Sequence, residues 1–96
     1  MNKVIMGLFM VASMNVYAID CASLSETAAT VMEVRQMGYP MSKLMEAAER
    51  DGALARALVI EAYRQPRYSS DGYKENAIKD FANEVYLQCI EIIDSD

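Results

Sequence analysis

The chain has 96 residues, with 9 Lys and Arg against 14 Asp and Glu, no histidine and two cysteines. Its formal net charge of −5 argues against nucleic-acid binding and against adhesion to anionic membranes, which both need a basic excess. Without histidine the commonest general base is missing. No glycine-rich phosphate loop or nucleophile motif is present, and two distant thiols are too few to hold a metal. These absences predict a protein that is not an enzyme, with no catalytic residues, metal or cofactor.

Residues 1–18, MNKVIMGLFMVASMNVYA, read as a secretory signal peptide. Lys3 supplies a positive start, Val4 to Met14 is apolar apart from Ser13, and Val16 and Ala18 occupy the small-residue positions before a cleavage site. The apolar run is shorter than the roughly 20 residues a membrane span needs, so cleavage after Ala18 is expected. A lipidation signal does not fit, because Asp20 directly precedes Cys21. The domain expected is 19–96, exported to the periplasm or secreted and not stably inserted in a membrane. Loss of Lys3 leaves eight cations against the same fourteen carboxylates, a net charge of −6.

Cys21 and Cys89 stand near the two ends of that domain. An oxidising compartment favours pairing them, and a core this small benefits from a covalent link. Four helices are expected between and around them. Ser23 and Glu26 have the spacing of a capping box, opening a first helix that runs to about Met37. Gly38 and Pro40 then stop it. Leu24, Ala28, Val31, Met32 and Val34 share one side, with Arg35 unexpectedly in its middle. Such an arginine must reach water or pair with a carboxylate, and a partly buried ion pair is expected. Arg56 faces the same choice on the third helix.

Ser42 is the expected cap of a short second helix ending near Asp51 and Gly52. The third helix, Ala53 to Gln65, is stopped by Pro66. Its apolar residues Leu54, Leu58, Val59, Ile60, Ala62 and Tyr63 cover more than half its circumference, which is typical of a helix buried on several sides. Ser70 caps a fourth helix from about Asp71 to Ile93, with Ile78, Phe81, Ala82, Val85, Cys89 and Ile92 as a continuous stripe. No segment alternates as a strand would. The fold class predicted is all-α: a small four-helix domain stapled by one disulfide between its N-terminus and its last helix. That disulfide sets the first and last helices antiparallel. Met32, Met37, Met41 and Met45 read as core filler, the commoner role in a small bundle, or else as an adaptable partner surface or a soft-metal site.

The segment EAYRQPRYSS, Glu61 to Ser70, admits two readings. As structure, Arg64 complements the dipole at a helix end, Pro66 ends the helix, Tyr63 and Tyr68 pack on the bundle, and the serines are caps. As a site, its Tyr and Arg are the residue types enriched at binding hot spots. Only Arg67 separates the readings, since it has no helix end of its own to serve. Arg35, Tyr63, Arg64, Pro66, Arg67 and Tyr68 form the candidate binding or structural cluster.

The segments VMEVRQMGYPMSKLME (31–46), IEAYRQPRYSS (60–70) and IKDFANEVYLQC (78–89) together resemble a family of small secreted or periplasmic phage- and prophage-type proteins with no assigned activity. The likeness rests on an Arg-Gln before a glycine, an Ala-Tyr-x-x-Pro-Arg-Tyr segment and a Phe-x-Asn-x-x-Tyr-x-x-Cys segment, and covers most of the exported part. It marks Arg35, Gln36, Gly38, Ala62, Tyr63, Pro66, Arg67, Tyr68, Phe81, Asn83, Tyr86 and Cys89. It implies a compartment and a phage or bacterial origin, and no mechanism. The function expected is protein–protein interaction with a periplasmic or envelope protein, as a phage-encoded inhibitor or exclusion factor. The alternative is a periplasmic acid-stress chaperone, on the analogy of small disulfide-bonded helical proteins of that kind.

Overall fold

The computed structural model describes residues 20–94. The signal peptide expected at 1–18 and its cleavage site lie outside these residues. Four helices follow in order: α1, Cys21–Gln36; α2, Met41–Glu49; α3, Ala53–Arg64; and α4, Asp71–Asp94. No strand occurs among the described residues.

Helix α1 begins earlier than its serine pattern suggests. Its N-cap is Asp20, whose extended backbone (φ −92°, ψ 114°) lets Oδ1 accept the amide proton of Ala22 at 3.0 Å. Ser23 lies inside the helix and donates its hydroxyl to Asp20 Oδ2 at 3.1 Å. The expected Ser23–Glu26 capping box is therefore replaced by an aspartate cap. A carboxylate there satisfies an orphan amide and also faces the positive end of the helix dipole.

At the other end α1 closes in a Schellman motif. The amide of Gly38 donates to the Arg35 carbonyl at 3.0 Å and that of Tyr39 to the Val34 carbonyl at 3.4 Å. Gly38 takes the left-handed conformation this requires, with φ 87°. Helix α2 starts at Met41, two residues earlier than a cap at Ser42 would place it: its N-cap is Pro40, whose carbonyl accepts from Leu44 at 3.2 Å, and no side chain caps it. Gly52, with φ 101°, turns the chain into α3. Helix α3 ends at Arg64, one residue short of expectation, because Gln65 is already extended ahead of Pro66 (ψ 150°). Ser70 does cap α4, accepting from the Tyr73 amide at 3.2 Å.

Helices α1 and α4 form the longest contact, and three links along it give the register. Cys21 and Cys89 are joined with Cα atoms 5.6 Å apart. Ser25 Oγ donates to the Ala82 carbonyl at 3.1 Å. Lys74 Nζ donates to the Gln36 carbonyl at 2.7 Å. Residue numbers rise along one helix as they fall along the other, so the pair is antiparallel. Helix α3 packs against α1 and α2. The core joins Ala28 and Met32 of α1, Leu58 and Ala62 of α3, and Phe81 and Val85 of α4. Ala28, Met32 and Ala62 are fully buried. The two alanines let α1 and α3 come close, and Met32 fills the irregular space beside them. The methionines thus divide: Met32 is core, Met45 is half-buried, and Met37 and Met41 are exposed.

Candidate functional site

The odd segment between α3 and α4 is held by two adjacent residues of α1. Arg35 donates from Nε and Nη2 to the carbonyl of Gln65, at 3.2 and 2.9 Å. Its guanidinium also lies 5.0 Å from the centroid of the Tyr63 ring, a cation–π distance. The carboxylate partner expected for Arg35 is thus replaced by a backbone carbonyl and an aromatic face. Gln36 is only 2% exposed, and it grips the next two peptide units. Its Nε2 donates to the Pro66 carbonyl at 2.9 Å and approaches Met32 Sδ at 3.5 Å, while its Oε1 accepts from the Tyr68 amide at 2.9 Å. The connector follows an extended path with no regular structure of its own. Its polar backbone atoms find partners on α1 instead.

The connector reaches back in turn. Arg67 Nε donates to the Gln36 carbonyl at 3.1 Å. That carbonyl lies in the last turn of α1, where the helix offers no partner. Arg67 therefore does serve a helix end, that of α1 rather than its own. Lys74, from the first turns of α4, donates to the same oxygen. Tyr63 closes the other side by donating its hydroxyl to the Tyr39 carbonyl at 2.6 Å. Burial raises the Tyr63 pKa and its neighbour Tyr39 adds to this, with the charge of Arg35 working in the opposite direction. The phenol stays a donor.

Of the cluster predicted from sequence, Arg35, Tyr63, Pro66, Arg67 and Tyr68 come together at this knot. Arg64 does not: it points to solvent and pairs with Glu61 at 2.9 Å one turn earlier. Arg56 is also apart, exposed on α3 with no side-chain partner among the described residues. Gln36 and Lys74 are the members the residue pattern missed. Only the Arg-Gln-x-Gly resemblance pointed at Gln36, and nothing pointed at Lys74.

A second feature lies between α3 and α4. The gap is a groove of about 560 Å³. Leu54 and Leu58 form one wall, Val85, Ile92 and Ile93 the other, with Phe81 and Leu24 at its base. Leu54 is 46% exposed and Ile92 69%. Glu61 and Gln65 stand along the α3 side and Glu84 and Gln88 along the α4 side, and among the described residues no lysine or arginine lines it. The volume falls within the range of ligand-binding clefts. The broad apolar arc of α3 suggested a helix buried on several sides; Leu58, Val59 and Ala62 are buried, while Leu54 at its start is exposed and lines this groove. No helix of the described residues is long and apolar enough to cross a membrane.

No protein-family model, curated protein or solved structure matches this chain.

Proposed function

We propose that this protein is exported to the periplasm and acts there by protein–protein interaction, taking an amphipathic helix of a periplasmic or envelope partner into the α3–α4 groove. The groove itself carries the proposal: an open apolar cleft on a small domain, with large side chains such as Leu54 and Ile93 left facing it. Contiguous apolar surface of this kind marks interaction sites on small proteins. Its shape suits the helix-in-groove mode, in which residues one turn apart anchor in the cleft. Its charge selects the partner. Glu61 and Glu84 flank the cleft and no cation among the described residues does, so the complementary helix has an apolar stripe bordered by Lys or Arg.

The disulfide fits an oxidising compartment, and the resemblance to secreted phage-type proteins fits a phage-encoded inhibitor or exclusion factor. A stapled bundle presents its cleft already formed, which lowers the ordering cost of binding.

The test is titration of the oxidised protein with a Leu/Lys amphipathic helical peptide of about five turns, beside a Leu/Glu peptide of the same pattern. The Leu/Lys peptide is expected to bind, and Leu54→Lys to weaken it more than tenfold, about 1.4 kcal/mol, with melting temperature unchanged. Equal binding of both peptides, or indifference to Leu54→Lys, rejects the groove as the site. Sedimentation of the protein alone separates self-association, which would make a second copy the occupant.

A further inference from the structure

We infer that the exposed face of the Arg67–Lys74 pair is an anion site, one that takes a carboxylate or phosphate oxyanion. It is separate from the α3–α4 groove, which neither residue lines.

Arg67 Nε and Lys74 Nζ share one acceptor, the Gln36 carbonyl, at 3.1 and 2.7 Å. The two nitrogens therefore lie within about 6 Å of each other, the sum of those distances. Arg35 donates to the carbonyl of Gln65 two residues from Arg67, so three cations gather at the C-terminal end of α1. Among the described residues none of the three is within ion-pair distance of a carboxylate; the ion pair there is Arg64 with Glu61. This happens in a chain whose carboxylates outnumber its cations by fourteen to nine.

The helix dipole accounts for part of the gathering and leaves most of it. The C-terminus of α1 presents roughly −0.5 of a charge to three full positive charges. No ion pair among the described residues balances the remainder. The shared carbonyl also uses only one donor from each of Arg67 and Lys74. The two Nη groups of Arg67 make no hydrogen bond among the described residues, and the ammonium of Lys74 keeps two protons. Those donors are held in place by the anchored Nε and Nζ, so an oxyanion between them meets charge and geometry that are already set. Tyr68 and Tyr73, with ring centroids 5.9 Å apart and both rings exposed, flank Arg67 and Lys74 in sequence. They give a peptide that carries the carboxylate an aromatic surface to rest on.

The experiment titrates oxidised, isotope-labelled protein with inorganic phosphate and, separately, with an acetylated Glu-rich peptide, following the Arg67 Nε–H and the Tyr68 and Lys74 amide resonances. Saturable shifts at these positions are expected, with binding at least fivefold weaker in Lys74→Gln and in Arg67→Gln. Lys74→Gln leaves Arg67 on the Gln36 carbonyl, so this variant keeps the fold and reads the charge alone. Saturation by the peptide identifies a partner carboxylate as the ligand, and saturation by phosphate alone a small oxyanion. No saturable shift with either probe, or equal affinity in wild type and Lys74→Gln, overturns the site.

Discussion

Gly38 and Arg67 meet across the end of α1. A Cβ placed on Gly38 would lie 2.9 Å from Nη2 of Arg67 and 3.0 Å from its Cζ. The same glycine has φ 87°, where an L side chain costs about 1–2 kcal/mol. Gly38→Ala therefore carries both backbone strain and displacement of a guanidinium that is anchored at Nε. A loss of about 1–3 kcal/mol is expected in chemical unfolding. In an Arg67→Ala background the contact is gone, so the loss should shrink to the backbone part. The same loss in both backgrounds would show that the guanidinium moves aside freely.

Gln36→Leu tests the grip on the connector. It keeps the volume and removes both hydrogen bonds, leaving the Pro66 carbonyl and the Tyr68 amide without their partner. Each orphaned group costs about 1–3 kcal/mol, so a loss of about 2–6 kcal/mol is expected, with faster exchange of the Tyr68 amide. By contrast, Arg67→Ala alone should cost only about 1 kcal/mol, because Lys74 still serves the Gln36 carbonyl. A Gln36→Leu variant as stable as wild type would remove the connector from the structural account.

Alkaline pH probes Tyr63. Its pKa is raised above the ordinary value of 10.0 by burial, so the folded state favours the protonated phenol. That contribution is present in full below pH 10.0, the unfolded value, and is lost as pH rises through the higher folded value. Melting temperature should fall above about pH 10, and less steeply in Tyr63→Phe. At neutral pH Tyr63→Phe should cost about 1 kcal/mol, the bond to the Tyr39 carbonyl. An alkaline slope identical in both proteins would place the transition elsewhere.

Acid should leave the helix packing in place. Among the described residues, the hydrogen bonds between helices and connectors use arginine, lysine, glutamine, tyrosine and serine donors with carbonyl acceptors. Carboxylates serve only within a turn, as in the Asp20 cap and the Arg64–Glu61 pair. Far-ultraviolet dichroism at about pH 3 is expected to keep the neutral-pH helical signal. An acid-stress chaperone would instead lose structure there and then suppress aggregation of other proteins, and that outcome would favour the alternative function.

The four helices were legible because each carries its own apolar stripe and stop signal. Ser70, Gly38 and Pro66 act locally, and local chemistry can be read from a string. The disulfide was legible too, since two cysteines allow one pairing. Gln36 was not. A glutamine in the last turn of a helix reads as solvated until the chain some thirty residues later returns to it. Lys74 was hidden for the same reason. The groove depends on how α3 and α4 sit beside each other, which neither helix determines alone. The start of α1 shifted because Asp20 and Ser23 are both competent caps, and the carboxylate, with its added charge at the helix N-terminus, is the better one.

Reduction should lower stability by about 4 kcal/mol, the loop-closure value for a separation of 68 residues, while helical signal persists in the cold. Cys21 and Cys89 are bonded to each other, so neither should be alkylated before a reductant is added, even in denaturant. Rapid alkylation of untreated protein would show that the bond is absent.

The bond between Cys21 and Cys89 also closes residues 21–89 into a covalent ring. All three connectors, including the exposed residues 65–70, lie within that ring. A protease that cuts one connector opens the ring and releases nothing, because the pieces stay joined through sulfur. The nicked chain would run as a single species on a gel until a thiol is added, and would then separate in two. Among hydrolases, its destruction takes two cuts at different places rather than one.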